Sequence, residues 1–197
     1  MNVVGIVVDC KRCFRVPRQL DQRAGLEHCG QRTAGGLPGR VPGHGGSAAP
    51  QNGLRTEQQR YLYAPTHLNR TSDYGVTFER GTLIQYGDRN HVLISGTASI
   101  NNRGEVLHVG DIRLQTLRMW ENVEKLLAEG GMTYDNVMQI VVYLRDGADY
   151  SLVSDMMRER FPRIPYVITL APVCRPTWLV EMECVAVKAT SNDFPDF

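Results

Sequence analysis

Residues 178–187 read as one strand, and every second side chain of an extended strand points to the same face. Trp178, Val180, Met182, Cys184 and Ala186 form an uninterrupted apolar face suited to packing against helices. Leu179, Glu181, Glu183, Val185 and Val187 form the other. Two carboxylates among aliphatic side chains cost desolvation energy unless something on that face needs them. Further strands are predicted at Thr82–Tyr86 and His91–Ser95, joined by the turn Gly87-Asp88-Arg89-Asn90. A second turn, Asn101–Gly104, separates Thr97–Ile100 from Glu105–Val109. Asp111 is placed to cap a helix whose Ile112, Thr116, Met119, Val123 and Leu126 share a stripe, and Gly130-Gly131 ends it. Asn136–Leu144 reads as a buried strand. Asp149 then caps a helix with Leu152, Val153, Met156 and Arg160 on one side and Pro162 as its stop. Pro165–Leu170 is the remaining strand. The order predicts an α+β sheet with two helices packed on one face, whose other face is left open for self-association.

Residues 1–58 are a different kind of sequence. Gln31–Gly53 is dominated by Gly, Pro, Ala, Arg and Ser, which predicts no packed core there. The chain therefore divides into an N-terminal extension, 1–58, one folded domain, 59–190, and a short tail, 191–197. Cys10-Lys11-Arg12-Cys13 has the spacing of a zinc knuckle, with His28, Cys29 and His44 as further ligand types, but no second CxxC pair accompanies it. Neither metal nor organic cofactor is implied.

Net charge is +1, unevenly divided: 1–60 hold nine Lys/Arg and four Asp/Glu, whereas 61–197 hold thirteen and seventeen. An acidic domain argues against nucleic acid as a partner. No apolar run has membrane-spanning length, which argues against a membrane partner. Five cysteines in two distant groups do not form a disulfide framework, and charged residues follow the apolar opening Met1–Val8. A reduced, cytoplasmic location is the expectation.

The candidate chemistry clusters near the last strand. Cys174-Arg175-Pro176 puts a thiol and a permanent cation within eight residues of Glu181, as a site for a small anion requires. Burial and the like charge of Glu183 raise a carboxyl pKa, and a nearby arginine lowers it. His67, His91 and His108 have no mutual metal-ligand spacing. Cys184 falls on the apolar face and reads as core.

Residues 74–188 resemble the Rid/YjgF family. The matching pieces are Ser95-Gly96, Gly110-Asp111, Gln115-Thr116, Glu121-Asn122, Gly130-Gly131, Val141–Asp146 and Val180-Glu181-Met182-Glu183. The resemblance implies a chorismate-mutase-like fold and a homotrimer with sites between subunits. Within that superfamily, Tyr74–Thr82, Ser95–Ile100 and Ala171–Pro176 are most similar to the catalytic C-terminal domain of chorismatases. That likeness implies cleavage of the enolpyruvyl ether of chorismate, or of a related small anionic carboxylate, with release of pyruvate. Glu181 matches the family's acid, and Gly96 and Cys174 match pocket positions of its hydroxybenzoate-forming branch. Arg175, Arg80 and Arg163 are the candidate carboxylate anchors, with Tyr74 and Tyr166 as further hydrogen-bonding candidates. Chorismatases carry an additional N-terminal domain that 1–58 do not resemble.

Two other functions follow from the same resemblance. Rid deaminases hydrolyse enamines and imines and hold the substrate carboxylate with an arginine. Counting back from Val180-Glu181-Met182-Glu183 without gaps, that arginine's place falls on Tyr166, whose phenol cannot make a bidentate charged contact. Arg163 lies close by in sequence. The other function is a non-catalytic trimer that binds small carboxylates.

Overall fold

The computed structural model describes residues 58–197 apart from Gly75 and the side chain of Tyr74. The extension's zinc-ligand types, Cys10, Cys13, His28, Cys29 and His44, lie outside the described residues. Gln58, expected in the extension, is buried, and its Nε2 donates to the Gln85 carbonyl at 3.1 Å.

Six strands, β1 (Gln59–Leu62), β2 (Gly81–Gln85), β3 (Arg89–Ala98), β4 (Val137–Leu144), β5 (Tyr166–Leu170) and β6 (Val180–Ala189), form one sheet in the order β1-β2-β3-β6-β4-β5. Only β4 and β5 pair in parallel; the other neighbours are antiparallel. Because β3 and β4 both run antiparallel to β6, the segments β3–β4 and β4–β5 are crossover connections. Each contains a helix, α1 (Ile112–Glu129) and α2 (Tyr150–Arg160). The two helices touch one another and cover the same sheet face. The expected α+β class is therefore the observed one.

The core lies between that face and the helices. The apolar side of β6, Val180, Met182, Cys184 and Ala186, is fully buried against Met119, Val123, Leu126 and Leu127 of α1, with Val153 and Met157 of α2 in the same cluster. The opposite face keeps Leu93 and Val167 partly exposed, at 42% and 38%, with Val141, Val185 and Val187 half-buried.

Local differences from expectation have local causes. The breaks predicted around Gly96 are a bulge: Ile94 pairs with Cys184 and Thr97 with Met182, so Ser95 and Gly96 together oppose one residue of β6. Glu105–Val109 is not a strand, because Ile100 and Val106 make only an isolated bridge. The side-chain oxygen of Asn101 accepts from the backbone of Arg103 and Glu105 at 2.9 and 3.1 Å, and Gly104 takes φ +75°; the segment thus closes as a side-chain-capped turn. Asp111 caps α1 as expected, accepting from the Leu114 amide at 2.9 Å. Asp149 makes no cap bond, because a single turn of 3₁₀ helix precedes α2 and Asp146 caps that instead, accepting from Ala148 N at 2.9 Å. The tail 191–197 docks on the β2–β3 turn: Gly87 N donates to the Pro195 carbonyl at 2.8 Å, and the Phe197 ring meets Tyr86 and His91.

The caps make a paired test of this reading. Asp111→Ala should lower unfolding free energy by about 1 kcal/mol in urea titrations, and Asp149→Ala should lie within a few tenths of the parent. Equal losses at the two positions would contradict the assignment.

Candidate active site

The strand β6 carries Glu181 on the open face, between Ala98 of β3 and Tyr143 of β4 in the neighbouring strands. The bulge places Gly96 so that a Cβ there would sit 3.9 Å from Glu181 Oε2, so the absent side chain leaves room directly beside the carboxyl group. Glu183, two residues on, accepts a 2.8 Å hydrogen bond from the Tyr143 hydroxyl. These three side chains and the loop 171–174, which includes Cys174, enclose a hollow of about 190 Å³. Cys174 is exposed at its edge. The structure thus brings together Glu181, Cys174 and Gly96.

Glu181 is only 9% exposed, and among the described residues no donor hydrogen-bonds to its carboxylate. Burial raises its pKa from 4.5 to about 7; the positive charges of Arg145 and Arg80 oppose that rise, and Glu183 adds to it. Desolvation wins because the cations act from behind other contacts. Arg80 is buried, with its guanidinium donating to the Asn69 carbonyl at 3.2 Å and the Asn69 side-chain oxygen at 2.9 Å. Arg145 is spent on backbone: its Nε donates to the Trp178 carbonyl at 2.6 Å, and its Nη2 to those of Val173 and Arg175 at 2.5 and 2.6 Å.

Other expected anchors lie elsewhere. Arg175 is not the cation beside Glu181; its Nη1 donates to the Gly104 carbonyl at 2.8 Å and its guanidinium lies 5.1 Å over the Trp178 ring. Tyr166 pairs with Ile140 across β4 and so projects to the helix side, packing against the core. The site face of β5 falls to Val167 and Thr169. Arg163 is exposed in the connection before β5. Glu181 is level with Tyr143 and Thr169, at least three residues further along that strand, or about 10 Å. Within the chain Arg163 is therefore at the other end of the sheet. The side chain of Tyr74 lies outside the described residues.

The histidines have other surroundings. His67 Nε2 meets Glu121 at 2.9 Å, His91 packs with the tail, and His108 takes φ +59° in the turn before α1. Among the described residues no three His, Cys, Asp or Glu side chains converge as metal ligands. Cys184 is core, its thiol pushed up to about 12 by burial.

Sequence reasoning missed Arg145, Tyr143 and Gln115. Gln115 of α1 is fully buried; it donates to the carbonyls of His108 and Thr177 at 3.1 and 2.9 Å and accepts from Leu179 N at 2.9 Å. Tyr143 was legible as a polar-tipped residue within an aliphatic strand. Arg145, one residue past the last apolar position of β4, reads as an ordinary solvated strand end.

The raised pKa of Glu181 has a stability consequence. The folded state holds a proton that the unfolded state has lost between about pH 4.5 and 7, so this group's stabilisation is fully present below pH 4.5 and falls away as pH rises towards 7. Glu181→Gln removes that dependence. In urea titrations its stability relative to the parent should rise by on the order of 3 kcal/mol between pH 4.5 and pH 8. A difference independent of pH would show that Glu181 is not a buried acid.

Residues 83–188 match the family model described as Endoribonuclease L-PSP. The chain is 31% identical over 100 residues to the 3-aminoacrylate deaminase RutC of Acinetobacter baylyi, a match covering 49% of this chain and 79% of that protein. It is 31% identical over 102 residues to a RutC family protein of Pyrococcus abyssi, covering 50% and 80%. Among solved structures, the Escherichia coli YjgF gene product superposes with a TM-score of 0.54 at 16% identity, over 66% of this chain and 98% of that one. The Rid family protein YyfA of Yersinia pestis gives 0.54 at 20%, over 65% and 98%. The family model covers more than half of the chain, including the strands that carry Glu181, Gly96 and Tyr143, and this chain belongs to the Endoribonuclease L-PSP, or Rid/YjgF, family.

Proposed function

We propose that the protein is a Rid-type hydrolase acting on small carboxylated enamines or imines, with Glu181 as the general acid. One observation carries this: the buried carboxyl group of Glu181, its pKa raised to about 7 by burial, faces a hollow of about 190 Å³. Such a group is divided between its protonated and ionised forms at neutral pH and can both give a proton and take it back. In the proposed reaction Glu181 protonates the nucleophilic carbon of the enamine, leaving an iminium ion. Water adds at the iminium carbon, the carbinolamine nitrogen is protonated, and ammonia departs as the C–N bond breaks. The hydroxyl proton returns to Glu181. Net, enamine and water become an oxo acid and ammonia. The relative named as a 3-aminoacrylate deaminase supports this substrate class, as does a hollow sized for a few carbon atoms.

The second reading is the chorismatase-like one. An enol ether is also opened by protonating its terminal carbon, so the same acid serves. It is favoured by Gly96 facing Glu181 and by Cys174 at the edge of the hollow. Both readings use the combined field of Arg80 and Arg145 to draw a carboxylate towards the site.

The assembly proposed is a homotrimer in which the open sheet face is covered by neighbouring copies. Leu93, Val141 and Val185 on that face border a second hollow of about 270 Å³ beside Glu183, so a neighbour seated there would also wall the site.

Three measurements test these proposals. Incubation of the full chain with freshly generated 2-iminoacids or 3-aminoacrylate should accelerate ammonia release; incubation with chorismate should give pyruvate if the second reading holds instead. Saturable carboxylate binding with turnover of neither would leave a binding protein. Glu181→Gln should cut turnover of whichever substrate reacts by roughly a hundredfold or more. Full retained activity would remove Glu181 from the mechanism. Sedimentation at micromolar concentration should report three chains per particle, and a clean monomer would overturn the assembly.

A further inference from the structure

Between β5 and β6 the chain runs through residues 171–179 without regular structure, yet it forms one wall of the hollow and presents Cys174. A loop that lines a site is useful only if it stays in place, and three side chains secure this one. Gln115 takes its C-terminal end through Thr177 and Leu179, and Arg175 ties itself to Gly104. Arg145 takes the middle. Its Nη2 grips the carbonyls of Val173 and Arg175, the two residues that flank Cys174, while its Nε reaches the Trp178 carbonyl and its own backbone amide donates to Leu179 at 2.9 Å. Three carbonyls around one guanidinium match its rigid fork of donors, which an ammonium cannot reproduce. Tyr143 lies opposite Glu181, and two residues on the Arg145 amide continues the pairing to Leu179, so Arg145 shares the strand face of Tyr143 and Glu181 and its guanidinium acts on Glu181 as a positive charge.

We propose that Arg145 is the positioning residue of this site: it fastens the loop that presents Cys174 and at the same time supplies positive charge beside Glu181. The inference rests on reading the Glu181 hollow as the working site. Its two effects are coupled through one side chain, so the wall of the hollow and the proton affinity of its acid are set together. The groups facing Glu181 are Arg145 from the end of β4, Arg80 from the approach to β2, Glu183 on its own strand, Tyr143 on β4 and Cys174 on the loop. Among the described residues, removing Arg145 leaves Arg80 as the one cation acting on Glu181 against burial.

Arg145→Lys and Arg145→Gln separate the two effects, and neither readout needs a substrate. Carbon-13 titration of Glu181, assigned by its disappearance in Glu181→Gln, reports the charge. Hydrogen exchange at the amides of 173–179 reports the fastening. Exchange there should rise about tenfold or more in both variants, because neither side chain spreads its donors over two separate nitrogens as Nε and Nη2 do, while α1 amides stay protected. The Glu181 midpoint should stay near that of the parent in Arg145→Lys and move upward by about one pH unit in Arg145→Gln. A midpoint equal in all three proteins would overturn the charge role, and unchanged loop exchange would overturn the fastening. If Arg145→Gln does not fold, the unmutated protein still decides: the Arg145 Nε–H, assigned through Arg145→Lys, should exchange slowly with water, and a rapidly exchanging signal overturns the proposal. Failure of either readout is distinct from failure of the hydrolase reading, which turnover alone decides.

Discussion

A carboxyl group on the central strand of a sheet, held out of water, is the constraint around which this molecule is arranged. β6 lies between β3 and β4, so Glu181 has a strand on each side and no edge to escape to. An ionised carboxylate there loses hydration that only close donors can replace. None is provided among the described residues, and the two arginines that act on it do so as charges rather than as hydrogen-bond partners. The group therefore keeps its proton into the neutral range. Glu183 on the same face is half-buried and bonded to the Tyr143 hydroxyl. Two like residues, two positions apart, are made chemically different by their neighbours, which is how one strand supplies both an acid and a fixed polar wall.

The polar groups buried elsewhere serve the same end. Gln115 and Asn122 lie on the inward side of α1 without any exposure, where a helix built only for packing would carry leucine. Asn122 donates to the carbonyls of Ala98 and Ile100 at 3.0 Å each, securing the chain where it leaves β3, and Gln115 secures the loop that enters β6. Backbone that leaves a sheet has unpaired amides and carbonyls, and burying them unsatisfied costs more than burying an amide side chain that pairs with them. The helix is thus a clamp on both segments that border Glu181, as well as a lid on the core.

These relations explain what could be read from the residues alone. The alternation along β6 and the stripe on α1 follow from burial of one face, and burial is a local, periodic signal; both elements and the acid were legible for that reason. Gly96 and Cys174 were singled out through the likeness to chorismatases, since nothing periodic marks them. The cation that acts on Glu181 was not. Arg175 is adjacent to the strand in sequence, but the Trp178 ring and the Gly104 carbonyl turn it away, and Arg145 reaches the site from a strand 36 positions earlier. Sequence proximity says little about which charge meets which when strands are paired out of order. Tyr166 shows the same limit: its face was decided by its register with Ile140, which parity along its own short strand could not supply.

The side of β5 matters for what the site can accept. The site face of that strand offers Val167 and the buried Thr169, so no guanidinium reaches the hollow from it within the chain. Positive charge arrives instead from the end of β4 and the approach to β2, and both arginines already hold backbone or an asparagine in place. A cation committed in this way attracts a carboxylate through its field more than through a bidentate grip, because moving to meet the ligand would release the loop. On the proposed function, discrimination among substrates would then fall to shape: to the room opened by Gly96, the thiol of Cys174 and the wall of 171–174. On the hydrolase reading proposed above, such a site would select for small size and an electron-rich double bond near the acid, and only weakly for the exact placement of the substrate's negative charge.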